Sequence, residues 1–219
     1  MTVTRGARGP ALGVLELSSI ARGVVAIDAA LKRSPAILVM SRPVSGGKHL
    51  ACFEGGVAEV QEAMAAGARA AGALLLDSLE LPMADAQVWP MLGAPIIVPG
   101  GDRLAPTSEP GRHALDAPDW TDDGGAEAVA IVETTTVCAA IRAADAACKL
   151  TDVTVRDVRL AVDLAGKSYF TMTGTLDAIE AAGESAAAAA IAGLPGPSAL
   201  VLLEVIAQPS PDLRGQLFR

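Results

Sequence analysis

Two sets of residues in this 219-residue chain have types and spacings that invite chemistry. The first is AVDLAGKS, Ala161–Ser168, one residue away from the phosphate-binding pattern GxxxxGK[ST], with Ala161 at the first glycine position. A phosphate cradle needs its lysine to open a helix, so that backbone N–H groups and the helix dipole face the anion. Here SYFTMTG follows Lys167, and aromatic and β-branched residues running to a glycine predict a strand. An ATP-hydrolysing enzyme is therefore a weak reading. The second set is the cysteines and histidines. Cys52, Cys138 and Cys148 are odd in number and form no CxxC pair. They are expected to be small buried fillers rather than disulfide partners or zinc ligands. Neither His49 nor His113 has a sequence-local nucleophile and orienting acid beside it. His49 is expected on a strand surface. His113 lies in a Pro-, Gly- and Asp-rich stretch and is not expected to bind metal. No catalytic constellation is visible, and no enzyme activity, metal or cofactor is expected.

The elements that must position any site are rich in small apolar residues. The chain is 51% hydrophobic but only 3% aromatic, which suits close packing of helices on a sheet. No apolar run reaches the ~20 residues of a membrane span. AAGESAAAAAIAG (Ala181–Gly193) carries Glu184 and predicts an alanine-rich helix of a soluble domain. The N-terminus lacks an apolar signal core, so a cytosolic location is expected. A net charge of −8 argues against a nucleic-acid partner, because phosphate binding needs a basic patch.

The chain repeats itself. DAALK (Asp28–Lys32) returns as DAACK (Asp145–Lys149), and GVLELSSI (Gly13–Ile20) returns as AIVETTTV (Ala130–Val137). Glu16 falls on Glu133, and Arg42 on Arg159. After a short insertion, GKHLACFEGGVAEV (Gly47–Val60) meets GKSYFTMTGTLDAI (Gly166–Ile179), and LLLDSLELP (Leu74–Pro82) meets ALVLLEVIAQP (Ala199–Pro209). Several matches in one order indicate an internal duplication. The first domain is expected at 9–97 and the second at 126–219, joined by a linker or exposed loop at 98–125.

Within one copy, ALGVLEL predicts a buried strand and Ser18 or Ser19 offers an N-cap. The helix that follows has Ile20, Val24, Ile27 and Leu31 on one face, and Pro35 ends it. AILVMSRP and KHLACFE predict strands around a VSGG turn. A second helix presents Val57, Val60, Met64 and Ala68, and LLLDSLEL closes the unit. The order is β-α-β-β-α-β, with both helices expected on one face of the sheet.

A VLEL or IVET opening strand, a helix ending DAxxK, a glycine turn with GK and a strand closing at glycine, all written twice, resemble bacterial microcompartment shell proteins in their tandem-domain form. The resemblance implies an α/β (α+β sandwich) fold: two tandem shell domains, each a four-stranded antiparallel sheet with helices on one face. It further implies a homotrimer that acts as a single-layer pseudohexameric tile beside hexameric and pentameric shell proteins. Such a shell stands in the bacterial cytoplasm around enzymes that handle a reactive intermediate. The resemblance places Lys32 and Lys149 at the tile edge. It places Ser45, Gly46 and Gly47, together with Leu164, Ala165 and Gly166, at a central pore for small metabolites, with Asp163 near one mouth.

The chain departs from that family in two places. Ser45 stands where cluster-binding relatives have cysteine, so no iron–sulfur cluster is expected. Gln208 and Leu81 stand where many relatives place an edge arginine before proline, and Arg214 is a possible substitute. The alternative reading from another class is a trimeric ferredoxin-like regulator that senses a small molecule.

Overall fold

The computed structural model describes residues 9–92, 112–114, 127–161, 164–192, 198–210 and 212–213. The chain divides into two compact units, Met1–Ala84 and Asp85–Arg219. The expected roles of Asp163 and Arg214 lie outside the described residues.

The first unit runs β1 (Ala11–Leu17), α1 (Ile20–Arg33), β2 (Ile37–Val44), β3 (Lys48–Gly55), α2 (Val57–Ala71) and β4 (Leu75–Leu81). Its strands form one antiparallel sheet in the order β2-β3-β1-β4. Ser19 caps α1, its Oγ accepting the Arg22 N–H at 3.3 Å. The helix ends at Arg33, because Ser34 is extended and Pro35 follows. Alternate residues of the central strands, Leu15, Leu17, Ala51 and Phe53, meet α1 and α2 on one side of the sheet.

The helices approach that side through small residues. Gly23, Ala26, Ile27 and Ala30 are the buried residues of α1. Ile20, Val24 and Leu31, expected on the core face, are exposed. The large side chains are displaced because the tight contact belongs to glycine and alanine. On α2, Val60 and Met64 are buried as expected, whereas Val57 is exposed.

The second unit contains α3 (Val88–Met91, a single turn), β5 (Arg112–Ala114), β6 (Ala128–Thr134), α4 (Val137–Leu150), β7 (Thr154–Leu160), β8 (Ser168–Gly174), α5 (Leu176–Ile191) and β9 (Leu200–Ala207). From β6 to β9 it repeats the first unit, including an N-cap at Thr136 that accepts the Ala139 N–H at 3.1 Å. Its sheet order is β5-β7-β8-β6-β9. The four repeated strands β7-β8-β6-β9 form the expected antiparallel sheet, and the three-residue β5 adds a fifth strand at its edge. Arg112, His113 and Ala114, read as linker, pair antiparallel with Arg159, Val158 and Asp157. An edge strand offers unpaired backbone groups that any sequence can meet, so a three-residue partner leaves no apolar pattern. Among the described residues no helix is long and apolar enough to cross a membrane.

Candidate functional site

The two turns that precede the GK pairs have the same backbone. Between β2 and β3, Gly46 and Gly47 take positive φ of 78° and 71°. Between β7 and β8, Ala165 and Gly166 take φ of 51° and 89°. The Lys167 N–H closes the second turn on the Leu164 carbonyl at 2.9 Å. A Cβ built on Gly47 would meet nothing within 4 Å, so backbone conformation alone calls for glycine there. Ala165 adopts that conformation with a side chain, which strains it. Gly46, Gly47 and Ala165 are exposed, Ser45 and Leu164 are half-buried and Gly166 is buried.

Each turn is braced to the opening strand of its unit. Lys48 Nζ lies 2.7 Å from Glu16 Oε1, and Lys167 Nζ lies 2.7 Å from Glu133 Oε1. The register explains the recurrence. Glu16 pairs with Leu50 and Glu133 with Tyr169, so each lysine sits two residues along the neighbouring strand, diagonally across the same face. The first brace is largely buried, with Glu16 fully covered; the second is half exposed. Sequence reading aligned these glutamates and lysines across the repeats but did not join them to each other. The signal was there, since both residue types recur at fixed places on adjacent strands. The brace also accounts for the phosphate-loop lookalike. Lys167 leads into a strand rather than a helix, and its ammonium is spent on Glu133.

His49 corrects an expectation. It is 3% exposed rather than on the surface. It lies against α1 at Gly23, where an added Cβ would come within 2.5 Å of the imidazole. Its Nε2 is 3.1 Å from Ser41 Oγ. Burial lowers its pKa below the ordinary 6.5.

Lys32 and Lys149 lie in the last turns of α1 and α4, where the helix dipole favours a cation. Each meets the aspartate four residues before it at 2.7 Å. The Asp28–Lys32 pair is exposed, but Asp145 is buried because its Oδ1 accepts the Asp85 N–H at 2.8 Å.

The residues present do not fit a thiolate-held cluster at the Ser45 turn. Serine offers a hydroxyl there, and the cysteines stand elsewhere: Cys52 within β3, Cys138 and Cys148 on α4. Burial pushes the Cys52 thiol up to about 12. Burial, with Asp85 and Asp145 nearby, does the same for Cys148, also to about 12. Among the described residues no group of three or more His, Cys, Asp or Glu could hold a metal ion within one chain.

This duplicated sandwich, with a braced glycine turn and an Asp–Lys helix end in each half, matches known proteins over most of its length. The BMC domain model matches residues 11–84 and again 128–209. The bacterial microcompartment shell protein PduT of Citrobacter freundii is 37% identical over 180 residues, which span 80% of this chain and 84% of that protein. The crystal structure of a microcompartment protein from Desulfitobacterium hafniense superposes with a TM-score of 0.67 at 29% identity, over 94% of this chain and 98% of that one. A fused permuted hexameric shell protein from the RMM microcompartment shares the fold, with a TM-score of 0.51 at 17% identity over 81% and 82% of the two chains. The chain belongs to the BMC-domain family of bacterial microcompartment shell proteins, with the domain present twice.

Proposed function

We propose that three copies of this chain close into a ring of six similar domains, a pseudohexameric tile that is part of the wall of a bacterial microcompartment. The turns at 45–47 and 164–166 surround its central opening, and Lys32 and Lys149 lie along its rim. The reading is supported most by the recurrence of one turn in both units, with the same left-handed backbone and the same glutamate brace. A hairpin needs no such brace merely to reverse direction. A loop held at fixed height and lined by small residues suits close approach to a symmetry axis.

In that ring, Ser45 hydroxyls alternate with Leu164 side chains. The first offer hydrogen bonds to small polar metabolites, and the second narrow the passage. The tile acts as a barrier and a conduit and carries out no catalysis. Its partners are further copies of itself, hexameric and pentameric shell proteins at its rim, and the enzymes enclosed.

Ser45→Cys tests the opening. Three introduced thiols around one axis are expected to crosslink or to share a reconstituted iron–sulfur cluster. Thiols that do neither in a confirmed trimer would remove the turn from the axis. Lys32→Ala combined with Lys149→Ala tests the rim, and is expected to leave the oligomer intact while sheets disappear from electron micrographs. Unchanged sheets would remove the lysines from the rim.

A further inference from the structure

The two units differ where they should match. On α1, Ile20 is 46% and Val24 56% exposed, while their counterparts on α4, Val137 and Ile141, are both at 0%. What covers α4 is the chain that follows β4. The Asp85 N–H donates to Asp145 at 2.8 Å, and the side chain of Gln87 bonds the Val153 carbonyl and the Val155 N–H, both at 2.9 Å. Behind these bonds, Val88, Met91 and Leu92 are buried. Among the described residues the α1 face has no such cover, although it carries Asp28 in place of Asp145 and a longer run of large apolar groups.

The segment after β9 follows its strand as residues 85–92 follow β4, and its sequence suits a matching cover. Past the strands, the Ala84 N–H donates to the Pro10 carbonyl and the Gln208 N–H to the carbonyl of Glu127, the repeat counterpart of Pro10, so the segment from Ala84 corresponds to that from Gln208 and Asp85 falls within one residue of Ser210. Each segment opens with a local side-chain bond: the Gln87 N–H donates to Asp85 Oδ1 at 2.9 Å, and the Leu213 N–H donates to Ser210 Oγ at 3.3 Å. Both segments carry apolar residues four apart, Val88 and Leu92 in the first and Leu213 and Leu217 in the second. Val88 is buried, whereas Leu213 is exposed.

We infer that the α1 face around Ile20, Val24 and Asp28 is the docking site for residues 208–219 of a second copy of the chain. The inference rests on the ring reading and says how that ring is closed. Tail and receptor are different surfaces, so the contact is heterologous, and head-to-tail contacts of this kind close into rings when the rotation permits. Asp28 takes the role that Asp145 has in the second unit and accepts a backbone N–H near Ser210 of the incoming tail. Leu213 and Leu217 cover Val24 and Ile20 from water.

The test pairs Asp28→Cys, at the counterpart of Asp145, with Ser210→Cys, within one residue of the counterpart of Asp85, and uses a short bismaleimide. Proteins carrying one substitution each are mixed, dissociated and reassembled, then crosslinked and mapped by mass spectrometry, with native mass recorded on the same sample. The expected result is a 28–210 crosslink between chains, in trimers. A 28–210 crosslink found only within one chain of the double variant would overturn the inference. Trimers without the crosslink would overturn it while leaving the ring standing. Absence of both trimer and crosslink would overturn the ring as well. A second measurement does not depend on the cysteines. In protein ending at Gln208, amide exchange in the α1 peptide is expected to quicken about tenfold or more, with α4 unchanged. Equal protection of α1 with and without the tail would contradict the inference.

Discussion

Val24 on α1 and Ile141 on α4 stand at the same place in the two repeats, yet one is more than half exposed and the other is sealed. The same contrast runs through the braces, where Lys48–Glu16 is buried and Lys167–Glu133 is half exposed. It runs through the turns, where glycine in one copy faces alanine in the other. Duplication preserved the positions that define the fold and the turn. The burial around those positions differs between the copies.

The largest contrast is expected from a charge on each helix. Ile141→Asp buries an unpaired carboxylate and should cost about 4 kcal/mol or more, enough to unfold the second unit in a circular dichroism melt. Val24→Asp should keep the native spectrum, with a folding cost near 0.5 kcal/mol or less, while weakening association of the chains. Equal melting losses would mean that the two faces are not different in solution.

The braces come next. Glu16→Gln removes the carboxylate of a largely buried pair and should lower unfolding stability by about 3 kcal/mol in urea. Glu133→Gln removes a partly exposed pair and should cost about 1 kcal/mol or less. A reversed order would contradict the burial difference.

The turns give a smaller effect of opposite sign. Ala165→Gly should stabilise the chain by about 1 kcal/mol, and Gly47→Ala should destabilise it by a similar amount, because only glycine takes these φ values without strain. Chemical denaturation midpoints decide this.

The smallest effect is a pH dependence confined to the first unit. Burial holds the His49 pKa below its ordinary 6.5, so the folded chain binds the proton less well than the unfolded chain does. Its contribution to stability is full above pH 6.5 and declines as pH falls below that value. The second unit has Ser168 at the corresponding place, which does not titrate. Hydrogen exchange at pH 7.5 and 5.5 should show α1 and β3 loosening more than α4 and β8, with the difference lost in His49→Ser.

Much of this molecule is legible in its sequence, because the duplication doubles each weak signal. The strand-helix order, the glycine turns, the N-caps and the Asp–Lys helix ends were all readable in both copies. The core face of α1 was not. Its contacts run through Gly23, Ala26 and Ala30, which carry little hydrophobic signal, while the larger Ile20, Val24 and Leu31 are exposed. His49 was misplaced for a related reason, since the slot that buries it exists only because Gly23 lacks a side chain. β5 left no pattern because backbone pairing recruited it. The glutamate–lysine brace was present in the alignment and needed only the strand register to join its ends.

The most direct measurement is a native mass spectrum of the intact protein. It should give three times the 22.1 kDa chain with no added mass, as a ring of six domains without a cluster requires. A monomer or dimer at concentrations where the protein is folded would contradict the tile.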